Sequence, residues 1–364
     1  MTSRERILKA LRNEQPDHVP AAPDMWEMIP VRLSVRPSWE MLLYEDPPAW
    51  KARMDACTYF GVDALFATFV PMAPVQIPVV YRDQNKMITR YFSEKDRRRY
   101  WSPYAQVYTP QEPSALVKAK TIGLPPEHDE FEIVTPSYGK IGRDYFEDAR
   151  AYVGEGGVVA PIVGLPGVSC WEEETYRYFD DREAVLEEKR LQGEQIMDMV
   201  QTILAWKPDA LMIGHSGMMI FNPPNVFREL GLQWLQKITK LAKEHGVPTH
   251  LHCCGPERAL VEIAANETDL SCIEPLEIPP MGDCNLKEIK EKFGHKIALK
   301  GNLHTTAIML RGTPQEVEDA CKKAIDDAAD GGGFILSTGD QTPRDTPDEN
   351  IRIMQRVAET YGRY

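Results

Sequence analysis

No stretch of this 364-residue chain approaches the ~20 consecutive apolar residues of a membrane-crossing helix. Its opening, Met-Thr-Ser-Arg-Glu-Arg, also lacks the apolar run of a secretory signal. The two absences lead to the expectation of a soluble, cytoplasmic protein without membrane association. Basic charge is scarce: 42 Lys and Arg against 55 Asp and Glu leave a formal net charge of −13. That balance argues against a nucleic-acid partner, which needs clustered cations. The one basic run, Lys95-Asp96-Arg97-Arg98-Arg99, sits among aromatics and acids and reads as a solvated hairpin. Seven cysteines are an odd number, and they lack the dense spacing of a secreted disulfide scaffold, so they read as reduced thiols. Short-period repeats and low-complexity segments are missing too. What is present is ordinary globular material, with 43% hydrophobic residues for a core. A single domain over 1–364 is the expected organisation, with α/β barrels routinely of this size.

The first 150 residues read as an elaboration carrying the first strands. Thr2 or Ser3 caps a helix whose apolar face is Ile7, Leu8 and Leu11, and Asn13 and Pro16 stop it. His18-Val19-Pro20 begins an extended segment. Residues 24–60 look helical and broken by prolines. Residues 75–108 turn β-branched and aromatic around Asp83-Gln84-Asn85-Lys86, which predicts hairpins, and 109–130 read as a surface excursion. Over 151–364 the pattern becomes regular. Apolar runs at 157–165, 210–214, 249–253, 270–273, 297–300 and 334–337 alternate with helical segments such as 225–245 and 315–329. Thr313-Pro314-Gln315-Glu316 and Thr346-Pro347-Asp348-Glu349 each carry the Thr and Glu of a capping box. Repeated strand–helix units with continuous apolar strands imply a parallel sheet covered by helices, and their number favours closure into a barrel.

Chemistry in such a barrel collects at the carboxyl ends of the strands. After successive strands come His215-Ser216-Gly217, His252-Cys253-Cys254-Gly255, Glu274-Pro275-Leu276-Glu277, Gly301-Asn302-Leu303-His304 and Thr338-Gly339-Asp340. Side chains alternate along a strand, so His250, His252 and Cys254 share one side. His252 and Cys254 then present an imidazole and a thiol at the rim, a mixture zinc favours when carboxylate or thiolate completes it. Packing would account for one such pair in isolation, but not for the acids gathered around it. Glu274 is a candidate metal ligand or a partner behind one. Glu277 is a candidate for orienting substrate, and His215 and His304 for acid–base work.

The same residues carry a resemblance. Thr-Ser-Arg-Glu-Arg-Ile-Leu-Lys-Ala-Leu at the start, Pro16-Asp17-His18-Val19-Pro20, His252-Cys253-Cys254-Gly255, Pro279-Pro280-Met281-Gly282-Asp283, Lys300-Gly301-Asn302 and Thr346-Pro347-Asp348-Glu349-Asn350-Ile351 resemble the uroporphyrinogen decarboxylase superfamily. Within it they look like the corrinoid-dependent methyltransferases. The resemblance implies a (β/α)8 TIM barrel with an N-terminal helical and hairpin extension. The decarboxylases carry an arginine-rich N-terminal loop for a tetrapyrrole poly-acid. Here that stretch is Ala22-Pro23-Asp24-Met25-Trp26-Glu27-Met28, without arginine.

The methyltransferases carry a zinc motif of His-x-Cys and a later Cys. His252 and Cys254 match its first two positions, while Asp340 stands at the third. Carboxylate in place of thiolate makes a metal site harder and more Lewis acidic. That suits cleavage of an aryl methyl ether, with cobalt(I) as nucleophile and His304 as a proton donor to the leaving oxygen. Met25, Trp26 and Tyr138 are the expected binders of the aromatic ring. No Asp-x-His-x-x-Gly motif for cobalamin occurs in the sequence, so the corrinoid is expected on a partner protein. Transfer of methyl from methylcobalamin to a thiol and a decarboxylation are the alternatives. Assembly as a homodimer stays open.

Overall fold

Residues 1–112 and 114–364 are described by a computed structural model. They divide into two compact units: Met1–Asp24, Cys57–Phe69 and Arg150–Tyr364 form the first, and Met25–Ala56 and Val70–Ala149 the second.

The first unit is built on seven parallel strands: β1 (Ala64–Thr68), β2 (Gly157–Gly164), β3 (Leu211–Gly214), β4 (Thr249–His252), β5 (Cys272–Glu274), β6 (Ala298–Leu303) and β7 (Phe334–Thr338). Each is hydrogen-bonded to the next in that order. Strands β1, β6 and β7 are buried at every residue, as expected when helices cover one face and side chains fill the other. A (β/α)8 barrel needs an eighth position, and an extended stretch at residues 20–22 supplies it. The Leu336 amide of β7 donates to the Pro20 carbonyl (2.9 Å) and Ala22 donates back to the Leu336 carbonyl (2.9 Å), while Asp63, just before β1, donates to the Ala21 carbonyl (2.9 Å). Pro20 and Pro23 have no amide hydrogen, so this stretch cannot extend its ladder in either direction. The fold is therefore TIM-barrel-like, with its eighth strand reduced to a short clasp.

Helix boundaries follow local chemistry. Thr2 and Glu5 form a capping box on helix Ser3–Leu11, and Thr313 and Glu316 form one on helix Pro314–Ala328. The box expected at Thr346 does not form. The last helix, Asp348–Thr360, has Pro347 at its cap and no side-chain cap bond. Glu349, the would-be partner, accepts from Arg356 Nη1 at 3.0 Å instead. The single helix expected over 225–245 is two, Pro224–Leu230 and Leu232–Glu244, divided at Gly231.

The second unit holds an antiparallel sheet of Ala115–Lys118, Tyr104–Tyr108, Met87–Thr89, Ile77–Arg82 and Glu132–Val134, in that order. Trp39, Leu43, Ile77, Val79, Met87, Tyr108 and Val134 form its core. The turn at 83–86 is held by Asp83 Oδ1, which accepts from the Asn85 and Lys86 amides, both at 2.8 Å. The basic run is an exposed hairpin, Phe92–Lys95 with Arg98–Trp101, whose tip residues Asp96 and Arg97 have φ of 52° and 62°. The excursion at 109–130 supplies an edge strand, Ala115–Lys118; its Pro113 lies outside the described residues. Among the described residues no helix is long and apolar enough to cross a membrane.

Candidate metal centre

Strand β4 carries the central side chains. His252 is in register with Glu274 of β5, and Lys300 of β6 follows the registered pair Ile273–Leu299. Imidazole, carboxylate and ammonium therefore lie in one row across three strands. Glu274 Oε1 is 3.2 Å from His252 Nδ1, and Oε2 is 3.2 Å from His250 Nε2. The Lys300 ammonium also donates to Oε2. With Nδ1 engaged, Nε2 of His252 faces Asp340, whose Oδ1 is 4.0 Å away. Cys254 Sγ lies 3.0 Å from Ser216 Oγ. One donor atom each from His252, Cys254 and Asp340 falls within 4.8 Å of the others. Donor atoms on tetrahedral zinc sit ~3.5 Å apart, so side-chain shifts of about 1 Å close the set around an ion. A nitrogen, a sulfur and an oxygen, with a carboxylate behind the imidazole, fit zinc.

The backbone is bent to present these groups. Gly255, with φ of 93°, turns the chain directly after Cys254. A Cβ on Gly301 would meet the Pro275 carbonyl at 2.2 Å, so only glycine lets β6 lie this close to the turn after β5. Asp340 has φ of 125°, a costly conformation for a residue with a side chain, of the kind that collects at functional sites.

Electrostatics reinforce the row. Burial pushes the Glu274 carboxyl up, but His250, Lys300 and His252 outweigh it and hold it well below the usual carboxylate range. Burial pulls the Lys300 ammonium down, and Glu274 and Asp24 more than restore it. Burial likewise pulls His252 down, while hydrogen bonds with Cys254 and Glu274 raise it well above an ordinary histidine. A metal on Nε2 would displace that proton. Around the row, burial raises the carboxyls of Asp24, Glu257 and Glu277.

The other expected site residues are placed as follows. Glu274 lies outside the three-donor cluster, directly behind His252. Glu277 is buried, and its Oε2 accepts from the Gly255 amide at 2.6 Å, which pins the turn bearing Cys254. His215 is buried beside Phe227, 5.3 Å between ring centroids. Its ring nitrogens have no hydrogen-bond partner among the described residues, and burial pulls its pKa down to about 4. Its amide donates to the His252 carbonyl at 2.8 Å. His304 accepts from the amides of Thr306 (3.2 Å) and Ala307 (3.1 Å) through Nδ1, so it caps the π-helical turn Thr305–Leu310. It lines a cavity of about 420 Å³ with Ile278, Cys284 and Asn302, and none of the three donors lines that cavity.

Met25, Trp26 and Tyr138 belong to the second unit. There the Arg53 guanidinium covers the Trp26 ring at 4.0 Å, and Tyr138 packs edge-on to Trp50 and Tyr145 with its hydroxyl bonded to Asp148. Sequence reasoning passed over His250, Lys300, Asp24 and Glu257 as site residues. A lysine inside the apolar run of β6 was a readable signal, because a buried ammonium needs a carboxylate. Glu257, whose Oε2 accepts from the Leu276 amide at 2.8 Å, had none.

An α/β barrel with a rim cluster of histidine, cysteine and aspartate defines the class: a TIM-barrel-like protein with a candidate metal centre. Residues 183–361, just under half of the chain, match the uroporphyrinogen decarboxylase (URO-D) family. The uroporphyrinogen decarboxylase of Actinobacillus succinogenes is 24% identical over 221 residues, covering 56% of this chain and 60% of the relative. A methylcobamide:CoM methyltransferase of Methanosarcina mazei is 29% identical over 138 residues, 37% of either chain. The chain thus spans about 60% of the length of the decarboxylase it matches. A solved methyltransferase from Methanosarcina mazei superposes with a TM-score of 0.66 at 17% identity over 99% of both chains, a likeness of fold.

Proposed function

We propose that this chain is a corrinoid-dependent methyltransferase whose zinc ion is held by His252, Cys254 and Asp340. The observation that carries the reading is the convergence of these three donors within 4.8 Å of one another. Zinc bound there supplies a Lewis acid with a coordination position open to substrate. The protein's own groups do the positioning. Glu274 holds the His252 ring by its far nitrogen, and Glu277 holds the turn that presents Cys254. Asp340, with a side chain 35% exposed, lies on the open side.

The reaction we propose is removal of a methyl group from a methoxylated aromatic compound. Cobalt(I) on a separate corrinoid protein attacks the methyl carbon. The carbon–oxygen bond breaks, its electron pair stays on oxygen, and a proton completes the phenol. A carboxylate at position 340 supports this reading, because it makes the donor set harder than one with a second thiolate. Similarity to a methylcobamide:CoM methyltransferase supports the corrinoid partner. That same similarity favours the alternative, transfer of methyl from the corrinoid to a thiol. Decarboxylation of a poly-acid fits least. The stretch at 22–28 carries no arginine to grip a poly-acid, and burial that raises the carboxyls of Asp24, Glu257 and Glu277 marks an interior that resists added negative charge.

Cobalt(I) cobalamin incubated with a methoxyphenol tests the reaction through cobalt absorbance. Conversion to methylcobalamin supports ether cleavage. No conversion with methoxyphenols, together with demethylation of methylcobalamin by a thiol, selects the alternative. Elemental analysis of the wild type beside His252→Ala tests the metal, and a metal-free wild type sinks the zinc assignment.

A further inference from the structure

We propose that Lys300 is a positioning residue for the metal centre: its ammonium fixes the Glu274 carboxylate, which fixes the His252 ring with Nε2 toward Asp340. This inference rests on the zinc reading above and assigns a function to a residue that touches no donor of the cluster. Lys300 is 2% exposed and Glu274 is 3% exposed. Two charges so deep in a barrel cost several kcal/mol each to desolvate and persist only when paired and further hydrogen-bonded. The pairing here is not self-contained. One oxygen of Glu274 accepts from Lys300 and lies 3.2 Å from His250 Nε2, and the other is paired with His252 Nδ1. The ion pair thus ends on the imidazole whose opposite nitrogen faces Asp340. A ring free to rotate about its Cβ–Cγ bond would present either nitrogen, and a carboxylate anchored on a third strand removes that freedom. Carboxylates behind metal-bound histidines typically change metal affinity 10–100-fold when removed. Lys300 keeps this one charged and in place.

A passive core ion pair would look the same in the fold but not in a binding cycle. The experiment compares zinc affinity, by competition with a chromophoric chelator, in the full-length wild type, Lys300→Met, Glu274→Gln and the double variant. Lys300→Met is expected to weaken zinc by about 10–100-fold, as is Glu274→Gln. The double variant is expected to bind no more weakly than Glu274→Gln alone, because Lys300 acts only through Glu274. Wild-type affinity in folded Lys300→Met overturns the proposal, and so does a double variant whose loss is the product of the two single losses. Should Lys300→Met fail to fold, the double variant leaves no buried unpaired charge. Binding weaker than in Glu274→Gln overturns the proposal, and Lys300→Arg, which keeps a cation but changes its reach to Glu274, supports it by weakened zinc binding and overturns it by wild-type affinity. A wild type that binds no zinc defeats the metal reading separately. The ¹⁵N resonance of His252 Nδ1 then decides: a shift in Lys300→Met, or in Lys300→Arg, with Glu274 intact supports the linkage, and an unmoved resonance overturns it.

Discussion

Closure of the barrel hangs on Asp63, and replacing it with alanine should open one seam rather than weaken the whole sheet. Asp63 is 1% exposed. Its Oδ1 accepts from Arg6 Nη1 at 2.7 Å and its Oδ2 from the Ala21 amide at 3.1 Å. Asp63→Ala removes both acceptors and strands part of a guanidinium whose side chain is 9% exposed. Breaking a buried ion pair from one side costs ~3–5 kcal/mol. Arg6 keeps Asp17 through Nε at 2.8 Å and Nη2 at 3.2 Å, which places the expected loss at the lower end, about 3 kcal/mol. Asp63→Asn retains an acceptor for Ala21 and should lose ~1–2 kcal/mol.

Amide hydrogen exchange reads where the loss falls. Every ~1.4 kcal/mol is tenfold, so Ala21, Ala22 and Leu336 should exchange about 100-fold faster, while Leu251 and Ile273 in mid-sheet change little. Urea denaturation supplies the global figure. A loss below about 1 kcal/mol, or acceleration as large at Leu251 as at Leu336, would refute the view of residues 20–22 as a separately held clasp.

Three further outcomes are expected. Asp340→Cys should double the thiolate-to-metal charge-transfer absorbance of the cobalt(II)-loaded protein, from one thiolate to two; an unchanged spectrum removes position 340 from the donor set. Glu277→Ala leaves the Gly255 amide without its acceptor and should cost ~1–3 kcal/mol in calorimetric stability and weaken zinc about 10-fold. His215 supplies a pH dependence. Its folded pKa, about 4, lies below the ordinary histidine value of 6.5, so the unfolded chain binds the proton first and stability falls as pH drops through that window. The full effect is ~3 kcal/mol at ~1.4 kcal/mol per pH unit. His215→Leu should flatten urea midpoints between pH 6.5 and 4, and a slope equal to wild type would disprove the assignment.

The parallel strands were legible because their apolar runs are continuous and their ends carry His, Glu and Asp. The eighth position was not, since Pro20 and Pro23 leave too few amides for a strand signature and the pairing partners, Asp63 and Leu336, are distant in sequence. The clustering of His252, Cys254 and Asp340 was legible from side-chain alternation in β4 together with the aligned position of Asp340. Direction of side chains beyond the strands was not. His304 lies at a strand end, as expected of a rim residue, yet the turn after it draws its Nδ1 onto two backbone amides. Trp26 is expected from the sequence to bind an aromatic ring, but Arg53, on a helix 27 residues further on, covers its ring and donates to its carbonyl at 3.0 Å. Such contacts leave no periodic trace.

Under the proposed zinc reading, charge counting across the row gives Asp340 a weight the other acids lack. A divalent ion held by one thiolate and one carboxylate would be balanced without help, while Lys300 pairs with Glu274 separately. The carboxyls of Asp24, Glu257 and Glu277 are all raised by burial, so the interior resists further negative charge. A substrate that enters neutral and acquires negative charge only as a bond breaks meets this environment at lower cost than one that arrives as an anion. An aryl methyl ether is such a substrate. A thiol must first lose its proton against the same field, and a second thiolate at position 340 would leave the ion softer and better suited to hold it. Asp340→Cys should therefore shift the preference toward thiols, read as the ratio of initial rates with a thiol acceptor and with a methoxyphenol donor. A ratio that moves toward the ether would overturn this account of the site.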